Sequence, residues 1–156
     1  AIGNPNLLME MAAAVGRQSV VAVLDVRKRT GFFAGGHEVC THNGSRAHKL
    51  DPVEAAVLMQ DSGAGEIVIN SIDRDGLMEG YDLELAMKFK AALKVPVTFL
   101  GGAGSLDHLR ELVSKLGVVG AAAGSLFVFK GKYRAVLINY PTPDQKISLC
   151  REALNL

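Results

Sequence analysis

Asp25 directly follows the apolar run Val20-Val21-Ala22-Val23-Leu24. A carboxylate abutting such a run is costly to leave unpaired, and at the carboxyl end of a strand it can act as a general acid or base. Farther along, Ser71-Ile72-Asp73-Arg74-Asp75-Gly76 gathers a hydroxyl, two carboxylates and a guanidinium in one short stretch. Ser71, Asp73 and Asp75 are suited to orienting substrate hydroxyls or passing protons, although the same residues also make an ordinary solvated turn in which Asp73 balances Arg74. Gly101-Gly102-Ala103-Gly104 stands just before a helix-capping Ser105. Small residues there let backbone N–H groups approach an anion, and the helix dipole favours negative charge. Gly124-Ser125 repeats the arrangement. A tight turn accounts for either glycine loop alone, but paired glycine loops after adjacent late strands are how βα-barrels commonly hold a phosphate. Gly102, Gly104, Gly124 and Ser125 are therefore the candidate phosphate-binding residues, and a phosphorylated small molecule is the expected ligand.

These residues meet only if strands deliver them to one end of a sheet. Asn4 and Pro5 make a cap and a first-turn proline, and Leu7, Leu8, Met11, Ala12 and Val15 recur at helical spacing, which predicts a helix over residues 4–15. Residues 20–24 read as a strand covered on both faces, with Asp25 as its end. Gly31, Gly35 and Gly36 separate residues 26–30 from residues 38–41, which predicts an inserted β-hairpin. Asp51, Pro52 and Glu54 open a second helix whose apolar face is Val53, Ala56, Val57 and Met59, and Gly63 and Gly65 stop it. A strand over 66–70, a helix from Asp82 to about Leu93, a strand over 96–100, a helix capped by Ser105 to about Leu116 and a strand over 118–123 follow. Strand and helix thus alternate, the signature of an α/β fold with a parallel sheet covered by helices. In the tail, residues 125–129 are short and apolar, residues 135–140 fit strand or helix, and Thr142 with Pro143 begins a last helix ending near Leu154.

Composition narrows the function classes. The 156 residues match one domain by length, and 49% hydrophobic with 21% charged residues supports a sizeable core. Seventeen basic against sixteen acidic residues leave a net charge of +1, without the basic excess of a nucleic-acid or anionic-membrane binder, so neither is an expected partner. Phe32, Phe33, Phe127, Phe129, Tyr133 and Tyr140 accordingly read as packing residues rather than base-stacking platforms. Cys40 and Cys150 fit neither a disulfide framework nor a zinc site and are expected as two reduced thiols. His37, His42, His48 and His108 lack ligand spacing, so no metal and no cofactor is expected. His42, with Asn43 and Gly44, sits where the hairpin rejoins the sheet rim, and a contact with the site is left open. No apolar run approaches the length of about 20 residues that crosses a membrane, and residues 1–6 lack the basic start of a signal peptide. The expected address is cytoplasmic.

On VVAVLDV around Asp25, GAGEIVINSIDRDG over residues 63–76, GYD over 80–82 and GGAG over 101–104, the chain resembles the cyclase subunit of imidazole glycerol phosphate synthase, the HisF-like family, up to about Phe129. THNG ending at Gly44 and INYP over 138–141 are more similar to the branch associated with amidination of surface-polysaccharide sugars. Leu100 and Gly124 depart from the histidine-pathway pattern, which usually has a small hydroxyl residue before GGAG. The resemblance implies a lyase that joins ammonia from a glutaminase partner to a phosphoribosyl aminoimidazole precursor carrying two phosphates, then cleaves and cyclises it. Of the family's acid and base aspartates, at the ends of the first and fifth barrel strands, Asp25 matches the latter. Asp75 matches a substrate-contacting aspartate, and Gly102, Gly104 and Ser125 match the phosphate loops of the last two strands.

The first residues of the chain match the family's fourth helix. A full barrel takes about 250 residues. The expected architecture is therefore a (βα)4 half of a TIM-type barrel with an extra N-terminal helix and a C-terminal tail helix: one domain over 1–156, core 18–129, tail 130–156. An open apolar sheet of this kind should be covered, by a homo-oligomer, a dimer or higher, or by a complementing N-terminal half. A two-fold dimer closing edge to edge would bring two Asp25 carboxylates to one rim. The competing expectation is a non-catalytic fragment or a self-assembling phosphate-binding module.

Overall fold

The structure is a computed structural model and describes residues 3–4, 6–30, 35–131 and 133–154. Helix α1 (Asn6–Val15) and a 3-10 turn (Arg17–Ser19) lead into β1 (Val21–Lys28), followed by β2 (His37–Thr41) and β3 (Arg46–His48). Then come α2 (Pro52–Asp61), β4 (Glu66–Ser71), α3 (Leu83–Ala92), β5 (Val97–Leu100), α4 (Leu106–Leu116), β6 (Gly120–Ala121) and α5 (Ser125–Val128). A small hairpin of β7 (Phe129–Lys130) and β8 (Ala135–Val136) precedes α6 (Pro143–Leu154). Helix starts fall where local chemistry puts them. Asp51 accepts from the Val53 and Glu54 N–H groups at 2.8 and 3.1 Å, Asp82 from Leu85 at 3.0 Å, and Ser105 from His108 at 3.3 Å, each satisfying a donor that the helix cannot.

The main sheet has the order β3-β2-β1-β4-β5-β6. β1, β4, β5 and β6 are parallel, in a partial TIM-type arrangement in which a helix follows β4, β5 and β6 directly and follows β1 after the inserted β2 and β3. β2 and β3 extend it in antiparallel fashion. Three expectations change in detail. β1 does not end at Asp25 but runs on to Lys28, because residues 25–28 pair with β2 in a continuous hairpin while residues 21–26 pair with β4. The strand expected over 118–123 shortens to Gly120–Ala121: Gly101 turns the chain away with φ +96°, leaving a four-residue β5 that offers only Thr98 and Phe99 as partners. Of residues 135–140, only Ala135–Val136 forms a strand.

Along β1 the burial alternates: Ala22, Leu24 and Val26 are buried, Val21 and Val23 exposed, Asp25 and Arg27 half-buried. β4 and β5 repeat the pattern, with Ile67, Ile69, Val97 and Phe99 buried. The period of two puts one face of the sheet against the helices and leaves the other open. Phe89, Leu112, Leu24, Ile67, Ile69 and Val26 form the centre of the covered side. Gln60 stitches that layer, its Oε1 accepting the Lys94 and Val95 N–H groups at 2.7 and 3.2 Å. α6 packs on α4 and buries Leu149 and Ala153. Among the described residues, no helix is long and apolar enough to cross a membrane.

Candidate functional site

The parallel register aligns Asp25 with Asn70 and Asn70 with Leu100, so these three side chains form a row across the open face near the carboxyl ends of the strands. Asn70 Nδ2 donates to Asp25 Oδ1 at 2.9 Å. On its hairpin side Asp25 stands opposite Cys40, and an open cleft there is lined by Val23, Asp25, Cys40, Thr41, His42 and Asn43. His42 and Asn43 thus reach the neighbourhood of Asp25 through a β2–β3 turn in which both adopt φ +55° and Gly44 φ +80°. Thr41 Oγ1 bridges His42 Nδ1 and His48 Nε2 at 3.1 and 2.8 Å. Burial pushes the Cys40 thiol up, opposed by the neighbouring Arg27 guanidinium.

After β4 the chain turns through the acidic loop. Ser71 is buried and its Oγ donates to Asp73 Oδ1 at 3.1 Å, while Asp73 Oδ2 accepts the Lys28 N–H at 3.1 Å. Asp73 therefore pins the loop to the end of β1. The charge balance between Asp73 and Arg74 is not the arrangement adopted. Arg74 instead donates to the Gly80 carbonyl at 3.0 Å and lies 3.8 Å from Asp82 Oδ2. Asp75 is exposed, its N–H bonded to the Ser71 carbonyl at 3.1 Å.

Asp82 is the hub of this rim. Besides capping α3 it lies 3.3 Å from His37 Nε2 and 4.0 Å from Lys28 Nζ. Burial pushes its carboxyl up, but the Leu85 N–H, His37 and Arg74 outweigh that and hold it below the ordinary carboxylate range. Next to it, the Tyr81 hydroxyl donates to the Ala122 carbonyl at 2.8 Å, tying this loop to the chain beyond β6, and burial raises the phenol.

The glycine loop packs on the same segment. The Gly80 N–H donates to the Gly102 carbonyl at 2.7 Å. A Cβ at Gly102 would collide with the Gly80 carbonyl oxygen and one at Gly104 with that of Met78. Gly102 also holds φ +98°, a backbone that side chains resist. The Gly104 N–H is bonded to His108 Nδ1 at 3.1 Å. Gly124 is different: it caps the short α5, φ is −103° and a Cβ there would meet nothing within 4 Å, while Ser125 begins that helix half-buried. Among the described residues, no cluster of His, Cys, Asp or Glu could hold a metal ion.

The structure thus brings Asp25, Ser71, Asp73 and Gly102 to one end of the sheet. Asn70, His37, Asp82 and His108 belong to that rim without having been singled out for a role. The period-two pattern of β4 carried a signal for Asn70, a polar residue on the same face as Glu66 and Val68.

Two outcomes follow from this geometry. Gly102→Ala is expected to destabilise the chain by about 2 kcal/mol or more, with Gly124→Ala within about 1 kcal/mol of wild type, both read by urea unfolding. Equal effects would contradict the close-approach account. Because Asp82 titrates lower in the folded state, its contribution to stability is full above the ordinary carboxyl value of about 3.9 and is lost as pH falls through the depressed value. Asp82→Asn should therefore unfold at lower urea than wild type at about pH 5.5, with the gap narrowing as pH falls below the ordinary carboxyl range; a gap independent of pH would contradict the ion cluster.

Comparison with known proteins identifies the family. The family model described as "Histidine biosynthesis protein" matches residues 1–134. The putative imidazole glycerol phosphate synthase subunit hisF3 of Vibrio vulnificus is 53% identical over 143 residues, 92% of this chain and 54% of the relative. A putative imidazole glycerol phosphate synthase subunit HisF of Leptospira interrogans is 49% identical over 149 residues, 96% of this chain and 58% of the relative. The imidazole glycerol phosphate synthase subunit HisF of Chlorobaculum parvum is 38% identical over 130 residues, 83% of this chain and 50% of the relative. The chain spans about half the length of the curated relatives it matches. With the parallel sheet, the Asp25 row and the glycine loop all carried within the matched segment, the chain belongs to the histidine biosynthesis protein family as a HisF-like member.

Proposed function

We propose that this chain carries half of the active site of a cyclase-type lyase, which adds ammonia to a phosphoribosyl aminoimidazole precursor, cleaves it and closes a ring. In this reading Asp25 is the proton-transfer group supplied by this chain. The carrying observation is its position on the open face, at the loop end of the sheet, with one carboxylate oxygen fixed by Asn70. Asp75, exposed at the tip of the loop, orients the substrate, and Ser71 and Asp73 act on substrate position by holding the loop at its base. One phosphate sits over Gly102, Gly104, Gly124 and Ser125. An anion taking the Gly104 N–H displaces His108 Nδ1 from it, and the other N–H groups receive it as glycine loops do in barrels of this kind. Ammonia comes from a glutaminase partner, as the family resemblance implies.

The domain reading is a half-barrel over residues 1–156, with core 18–129 and tail 130–156, whose open face is completed by further βα units. Support comes from the pairing. β2 reaches along β1 only as far as Asp25, so among the described residues Val21 to Leu24 lack a strand on that side, and β6 has none beyond it. Val21 and Val23 are about half exposed at the same level, an apolar strip suited to a closed barrel interior. A complementing half or a second copy of the chain can supply the missing strands.

The test is turnover of the phosphoribosyl precursor with ammonium as nitrogen donor, using the chain alone and the chain mixed with the amino-terminal βα units of a relative. Turnover is expected once the open face is completed, and Asp25→Asn should lower it by about 10²- to 10⁴-fold. Phosphate-induced movement of the Gly102 and Ser125 amide signals without turnover in either arrangement would favour the non-catalytic phosphate-binding module instead.

A further inference from the structure

We propose that Asn70 is a positioning residue of this site, kept at a cost in stability in order to fix the Asp25 carboxylate. The inference rests on the proton-transfer reading of Asp25 and adds to it the residue that governs it. Asn70 Nδ2 donates to Asp25 Oδ1 at 2.9 Å, across the β1–β4 pairing. The amide orientation is set by chemistry: turned over, its oxygen would face the carboxylate oxygen, acceptor against acceptor. With Nδ2 committed to Asp25, the amide oxygen is left fully buried without a hydrogen-bond partner. Its neighbour on the other side in the row is Leu100, which has no side-chain donor to offer. A buried unpaired carbonyl oxygen opposes folding, and an apolar side chain of similar shape would remove that opposition. An asparagine selected for stability alone is thus the wrong residue here. One selected to hold a carboxylate oxygen is the right one, because the bond removes the rotational freedom of Asp25 and leaves Oδ2 as the oxygen that meets a proton.

The positioning role differs from a mere link between β1 and β4 in what its removal does. In Asn70→Leu, urea unfolding should occur at the same or higher concentration than in wild type, while kcat of the completed enzyme falls about tenfold or more and KM stays within about twofold. Asn70→Ala is the second variant, for the case where leucine does not pack. The bond itself is read without activity. In wild type the Asn70 side-chain amide protons should exchange slowly with solvent, and exchange should quicken in Asp25→Ala. The Asp25 carboxyl carbon signal should move in Asn70→Leu. A stable Asn70→Leu with unchanged kcat would overturn the proposal, as would fast-exchanging amide protons in wild type. Absence of turnover in wild type under both arrangements would overturn the cyclase reading by itself. The amide-exchange and unfolding results then decide whether Asn70 holds Asp25 at a cost in stability.

Discussion

The parallel pairing of β1 with β4 and of β4 with β5 is the constraint on which the remaining features hang. Strand side chains alternate with a period of two, so one register fixes both faces at once. Sliding β4 by one residue against β1 would bring Ile67 and Ile69 out of the helix-covered core and separate Asn70 from Asp25. The apolar residues that pack against Phe89 and Leu112 therefore also hold the polar row in place. Burial of the covered face, the main favourable term in folding, positions a carboxylate on the face that folding leaves open.

Around that row, the loops are fastened by backbone contacts as much as by side chains. Gly102 and Gly104 lie against the carbonyls of Gly80 and Met78, Asp73 binds the backbone at Lys28, and Tyr81 binds the backbone at Ala122. Three βα loops and the hairpin after β1 thus form one connected rim. Asp82 supplies the electrostatic part: its carboxylate faces His37 from β2, Lys28 from β1 and Arg74 from the acidic loop. Such a rim holds the ends of its loops at fixed separation.

Much of this was legible in the sequence wherever the cause is local. Asp51, Asp82 and Ser105 announced helix starts because a cap acts over three residues, and Gly101-Gly102 announced a tight loop because few other residues tolerate its backbone. What depended on partners distant in the chain was read less well. Asp25 was recognisable as a carboxylate out of place, yet its partner Asn70 lies 45 residues away and is chosen by register. The extension of β1 to Lys28 required knowing that β2 would pair with it. Asp73 and Arg74, adjacent in sequence, invited pairing with each other, but each turned to a group brought in by the fold.

The central claim is that the Asp25 row and the acidic and glycine loops face one ligand. Carbodiimide labelling of carboxylates, located by mass spectrometry with and without a bisphosphorylated ribosyl analogue on the completed assembly, tests it most directly. The account predicts that the analogue protects Asp25 and Asp75 together while Asp144, exposed on α6, labels as before. Equal labelling of Asp25 in the presence and absence of a bound analogue would contradict it.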